Sequence, residues 1–128
     1  MPGVLRGTDL AAAFADMDAF VFPSLTDTFG LVVLEAMASA VPVVLNPETG
    51  ARIGVREGVD GFLTNDLSGG VLRLMRNEPL RRSMANAARG SAASMDWSGV
   101  FEEMYDTYSE ALTNPEVLAR VQRAQLKA

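Results

Sequence analysis

Between Ala19 and Leu45 the chain runs in blocks: an apolar run, a polar stretch, an apolar-patterned stretch and a second apolar run. Ala19–Phe22 is apolar and ends at Pro23, which has no N–H for a ladder and so suits the end of a strand. Ser24–Thr28 is polar and reads as a loop. From Phe29 onward, Leu31, Leu34 and Ala38, and beside them Val32 and Ala36, recur at three- and four-residue spacing. That spacing predicts a helix of about three turns, buried over most of its surface. Pro42 blocks a helix, and Val41–Leu45 reads as a second buried strand. Strand, helix and strand make a βαβ unit with a right-handed crossover. Ligands of such units collect beyond the carboxyl ends of the strands. Ser24–Thr28 lies there, at a helix N-terminus, and is the expected binding loop.

The flanking pattern extends this α/β reading. Thr8 is the expected N-cap of a short helix, with Asp9 in its first turn and Leu10, Ala11, Ala13, Phe14 and Met17 on its apolar face. Asn46–Gly50, with Pro47 and Gly50, is a second loop leaving a strand's carboxyl end, facing the same crevice. Ala51–Val59 reads as a short helical turn ended at Gly58, and Gly61–Thr64 as a third strand entered through the Asp60-Gly61 turn. Leu67–Arg76 is a helix with Leu67, Val71, Leu74 and Met75 inward, and Pro79 suits the first turn of another, Pro79–Ser94. Asp96 caps a further helix with Trp97, Val100, Met104, Tyr105 and Tyr108 on its buried side. Asn114 and Pro115 break the chain before a final charged helix to about Leu126.

Composition narrows the function classes. A chain of 128 residues holds one domain with a real core. A net charge of −5 argues against a general nucleic-acid or anionic-membrane surface. With no cysteine there is neither a disulfide nor a thiolate metal site; with no histidine the commonest metal ligand and the commonest neutral-pH base are gone. Catalysis would rest on carboxylates, backbone amides, Arg/Lys or hydroxyls. No apolar run reaches the length of a membrane span, and the N-terminus has no signal-peptide pattern. The expected location is cytoplasmic, or peripheral to a membrane.

Seven residues separate Asp27 from Glu35. Asp27 stands in the loop and Glu35 about two turns into the expected helix. The N–H groups of Thr28, Phe29, Gly30 and Leu31 are the unpaired donors of the helix start and, with the macrodipole, make an anion site suited to phosphate. Carboxylates would then meet sugar hydroxyls. Plainer roles stand beside these. Asp27 is equally a helix cap, and Gly30 equally a packing glycine. Glu35 is harder to explain by packing, because an unpaired carboxylate in a buried apolar helix is costly.

The block from Phe22 to Val44, FPSLTDTFGLVVLEAMASAVPVV, resembles the C-terminal domain of retaining GT-B glycosyltransferases of the glycosyl transferases group 1 type. These carry an acidic–seven–Glu motif, Ala-Met-Ala and a Pro-Val-Val strand. Gly7–Ala19, Gly58–Leu63 and Trp97–Tyr108 match flanking parts of the same domain, so the likeness covers roughly residues 3–112. It implies an incomplete GT-B C-terminal, Rossmann-like α/β domain over residues 1–113: about three parallel strands, flanking helices, and a helical tail over 114–128. By position, Glu35 matches the residue that grips the ribose hydroxyls and Asp27 the acidic residue that contacts the transferred sugar. The amides of Phe29, Gly30, Leu31 and Val32 match the sugar and diphosphate cradle. Many members have Glu at the Asp27 position. The implied ligand is a nucleotide-diphosphate sugar. No metal or other cofactor is implied, since retention is ascribed to front-face attack assisted by the leaving phosphate.

Departures from the pattern limit the expectation. The acceptor-binding domain has no counterpart here, nor do the first strands of the nucleotide domain with their Arg/Lys pair. Ala40 stands where Gly is usual, and Pro47–Ala51 departs from the frequent Gly-Gly-x-x-Glu loop. The Ala19–Phe22 strand is therefore expected to have an open apolar edge, covered by Met1–Arg6, by a second copy in a homodimer, or by a separately encoded N-terminal half. The expected function is the donor-binding portion of a hexosyl-transferring enzyme, inactive without an acceptor domain. The alternatives are a non-catalytic nucleotide-sugar-binding module and a small α/β interaction domain.

Overall fold

The computed structural model describes residues 3–52, 54–95 and 97–115, with every side chain among them except those of Trp97, Val100, Glu103 and Ala111. The chain divides into two compact units, Met1–Ser94 and Met95–Ala128. The first holds α1 (Gly7–Ala15), β1 (Phe20–Phe22), α2 (Leu31–Ala38), β2 (Val43–Leu45), a 3₁₀ turn (Gly50–Arg52), β3 (Gly61–Leu63), α3 (Leu67–Arg76) and α4 (Glu78–Ser94). The second holds α5 (Trp97–Thr113).

The three strands form one parallel sheet in the order β1-β2-β3. Phe20 faces Val43, which faces Gly61; Phe22 faces Leu45, which faces Leu63. This is the α/β, Rossmann-like arrangement expected from the sequence. The strands are shorter than expected, without Ala19, Val41–Pro42 and Thr64, although the Pro42 carbonyl still accepts from Phe20 N–H at 3.0 Å.

β2 is central and wholly buried. Val43 and Leu45 pack with Phe14, Val33, Ala36, Met37 and Ala88. Val44 packs in a second cluster with Phe62, Leu74 and Met84. Each of the larger side chains among them contributes on the order of 1.5–3 kcal/mol when removed from water, before the entropy of ordering is counted. α4 supplies both clusters, through Ala88 to one and Met84 to the other.

Several helix faces differ from expectation. α1 begins at Gly7 with Arg6 as its N-cap, so Thr8 lies inside the first turn; Phe14 is buried, while Met17 lies past the helix end and is exposed. In α3 the inward row is Leu67, Val71 and Leu74; Met75 lies about 100° further round from Leu74 and is exposed. α3 is capped by Asp66, whose Oδ1 accepts from Gly69 N–H at 2.9 Å. On α5, Met104, Tyr105 and Tyr108 are exposed rather than buried. Asp96 and the final helix expected to about Leu126 lie outside the described residues.

β1 is at one end of the sheet. Gly3–Arg6 form no strand, and Val4 is exposed, so that segment adds no ladder to the β1 edge.

The turn before β3 is held by a buried carboxylate. Asp60 is 0% exposed, while the Arg56 side chain that meets it remains 58% exposed. Asp60 Oδ2 accepts from the Arg56 backbone N–H and Nε, each at 3.0 Å. Its Oδ1 accepts from Arg56 Nη2 at 2.8 Å and from Ser91 Oγ at 3.0 Å, which ties the turn to α4. Burial works against the charged form of Asp60, but the hydrogen bonds from Arg56 and Ser91 outweigh it and hold the carboxyl below its ordinary value. A depressed folded pKa stabilises the fold fully above the unfolded value of about 3.9 and is lost as pH falls through the folded value. Asp60→Asn removes the charge and turns a donor towards Arg56. It is expected to cost about 1–3 kcal/mol at pH 7. Urea unfolding from pH 5 down to pH 2 should show the wild type losing more stability than this variant; equal losses would contradict the role given to Asp60.

Candidate functional site

The loop from β1 to α2 is organised by Asp27. Its Oδ1 accepts from Phe29 N–H at 3.0 Å and from Gly30 N–H at 2.7 Å. The carboxylate thus closes the turn ahead of α2 and reaches no amide of the helix itself, so it is a turn residue rather than the helix cap weighed above. Gly30 is the N-cap, with φ 61° and ψ 38°. A left-handed residue at this position is why the helix starts two residues later than the apolar pattern predicts. Phe29 is left exposed in the loop.

This changes which amides are open. Those of Phe29 and Gly30 are taken by Asp27. Val33 and Leu34 N–H both donate to the Gly30 carbonyl, at 2.8 and 3.2 Å. Leu31 and Val32 lead the helix, and no hydrogen bond joins their amides to another described residue. Thr28 is exposed in the loop.

Glu35 is exposed, so the cost of a buried carboxylate does not apply to it. The buried face of α2 is Val33, Ala36 and Met37; the exposed stripe is Leu31, Glu35 and Ala38. Glu35 is the fifth helical residue, one turn in rather than two. Helical side chains lean toward the N-terminus, over the preceding turn. Glu35 shares its exposed stripe with Leu31, one turn from the open amides.

The β2 exit loop runs beside this segment. Gly50 and Thr28 meet backbone to backbone: a Cβ added at Gly50 would lie 2.8 Å from the Asp27 carbonyl oxygen and 2.9 Å from Thr28 Cα. The exits of β2 and β3 are joined by Asn46 Nδ2 donating to Asn65 Oδ1 at 3.1 Å. Sequence reading missed both amides. The signal was available, since each follows an apolar strand within two positions. A cavity of about 220 Å³ lies at the opposite ends of the strands, lined by residues including Asp18, Pro42, Arg81 and Arg82. Its arginines are already paired, Arg81 with Asp18 and Arg82 with Glu78.

Residues 1–91 match the family described as glycosyl transferases group 1. The chain is 40% identical over 118 residues to the GDP-mannose-dependent alpha-mannosyltransferase of Mycolicibacterium smegmatis, covering 86% of this chain and 30% of that protein. It is 34% identical over 110 residues to the D-inositol 3-phosphate glycosyltransferase of Actinosynnema mirum, covering 82% of this chain and 26% of that one. The fold is shared with the sucrose-phosphate synthase of Thermosynechococcus elongatus, at a TM-score of 0.66 and 24% identity, over 80% of this chain and 27% of that one. The chain belongs to the glycosyl transferases group 1 family, and it spans under a third of the length of these relatives. No helix among the described residues is long and apolar enough to cross a membrane.

Gly30→Ala tests the loop. It forces a side chain into the left-handed region, at about 1–2 kcal/mol, and places a Cβ 2.4 Å from Ala51 Cβ. Overpacking adds about 1–3 kcal/mol. Urea unfolding at pH 7 should show a loss of at least about 2 kcal/mol; an unchanged midpoint would contradict this geometry.

Proposed function

We propose that the chain binds a nucleotide-diphosphate sugar at the β1–α2 loop, as the donor-binding portion of a retaining hexosyltransferase that turns over only with an acceptor-binding domain. The observation that carries this reading is that the exposed Glu35 stands one turn from the Leu31 and Val32 amides, which no other described residue takes, at the start of α2 beyond the carboxyl end of β1. An amide pair at a helix start suits a phosphate. A carboxylate one turn further suits the two hydroxyls of a ribose.

Asp27 fits the transferred sugar. Its Oδ1 is committed to the loop amides, and that fixes the plane of the carboxylate. Oδ2 takes part in no hydrogen bond with another described residue and is left as an acceptor for a sugar hydroxyl, so the turn holds the group without consuming it. Phe29 and Gly30 contribute through the shape of the turn, and Leu31 and Val32 through their amides. Thr28 borders the same loop. Both acids act by hydrogen bonding, and neither is required as a nucleophile in a front-face reaction.

The exposed β1 edge is where a second copy of the chain, or a separately encoded half, would add a strand. Light scattering at micromolar concentration separates the two. A homodimer gives twice 13.7 kDa, and a stable monomer with cooperative unfolding removes the dimer.

Calorimetric titration with UDP-glucose and GDP-mannose tests the donor reading directly. Glu35→Ala removes charge-assisted hydrogen bonds worth about 1.5–3 kcal/mol, so affinity should fall on the order of 10- to 100-fold. Absence of binding at millimolar ligand would sink the donor reading in favour of an interaction domain. Sugar transfer by the purified chain alone would overturn the claim that it is incomplete for catalysis.

A further inference from the structure

We infer that the turn between Asn46 and Arg52 is a positioning element for the donor loop, acting through two close contacts: the Gly50 backbone on Asp27 and Thr28, and the Ala51 Cβ and Cα on Gly30. The inference rests on the donor reading above and concerns residues outside the acidic–seven–Glu block.

The turn is rigid on its own account. Thr49 N–H donates to the Asn46 carbonyl at 3.3 Å, and Glu48 N–H donates to Asn46 Oδ1 at 2.9 Å. Thr49 is wholly buried, and its Oγ1 accepts from Ala51 N–H at 3.3 Å. Ala51 is 2% exposed and belongs to the same core cluster as Val33, Ala36 and Met37 of α2. The turn is therefore anchored to the sheet through Leu45 and to the core through Ala51.

Two contacts pass this rigidity to the donor loop. Gly50 lies against the Asp27 carbonyl and Thr28 Cα with no room for a methyl group. Ala51 lies against Gly30, again with no room, at the residue whose left-handed conformation starts α2. The segment held between them carries Asp27 and both amides that its Oδ1 binds. Backbone atoms and an alanine Cβ have no rotamer to change, so both contacts allow little relaxation. The Asn46–Arg52 turn thus sets where the Asp27 carboxylate points. Glu35, on α2 itself, is set by helix packing instead.

The test uses the 128-residue chain. Ala51→Gly empties the space beneath Gly30 without a clash, and Gly50→Ala adds a methyl against Asp27 and Thr28. Amide hydrogen exchange of Ala51→Gly should rise on the order of tenfold more at Phe29 and Gly30 than at Val44 and Phe62, which report the loss of global stability from the thinned core. Affinity is read for GDP-mannose and UDP-glucose against GDP and UDP. The preference for sugar nucleotide over nucleoside diphosphate should fall about tenfold, because Asp27 moves while Glu35 stays. Gly50→Ala should do the same where it folds.

Exchange at Phe29 and Gly30 that rises no more than at Val44 and Phe62 would overturn the coupling. Raised exchange with an unchanged sugar preference would overturn its role at the donor site. A wild-type chain that binds none of the four probes defeats the donor reading itself, and exchange alone then decides whether the turn holds the loop.

Discussion

The burial of β2 on both faces is the constraint on which the rest of this structure depends. A strand of three residues with no exposed side chain needs cover above and below and a strand on each side. Its neighbours are parallel, so the chain must cross back before each next strand: α2 does so between β1 and β2, and the segment with the Gly50–Arg52 turn does so between β2 and β3. α4 then closes both clusters, which is why one long helix carries Ala88 for one and Met84 for the other. Parallel strands also share a carboxyl end. The loops after β1, β2 and β3 therefore leave side by side, and the contacts between Gly30, Gly50 and their neighbours follow from that crowding.

Much of this was legible in the sequence, because it depends on short-range pattern. Val41–Leu45 is apolar and bounded by Pro42 near one end and Pro47 beyond the other, so a buried strand is the simplest reading. Leu67–Arg76 was readable to the residue, since Asp66 caps it and Leu67, Val71 and Leu74 repeat at helical spacing. The parallel order followed from the strand–helix–strand alternation.

What was not legible depends on contacts distant in sequence or on an apolar stretch without a polar face. Leu31–Ala38 has one charged residue in eight, so periodicity alone could not say which side meets the sheet. The sheet selects Val33, Ala36 and Met37, and this turns Glu35 outward. The left-handed Gly30 was hidden for a similar reason: the residues flanking it are apolar, and nothing in their spacing marks a turn. Asp60 read as a turn residue before a strand. Its burial is explained only by Arg56 four residues earlier and Ser91 thirty-one residues later.

These differences change the argument about Glu35 rather than remove it. A buried carboxylate would have been notable for its cost, and that cost is absent. An exposed carboxylate on a helix is ordinary by itself. What distinguishes Glu35 is its position: one turn from two open amides, on a helix whose start is fixed by a glycine that tolerates no side chain. The fixing matters because a hydrogen-bonding site holds a small ligand only as well as its own geometry is held. Here no side chain of the site is locked by burial, since Asp27 is half-buried and Glu35 is exposed. The precision must come from the loop itself, from the turn that Asp27 Oδ1 closes and from the Gly50–Ala51 contacts beside it. Those contacts exist because β2 brings its exit loop alongside that of β1. The same packing that buries the central strand therefore also shapes the loop.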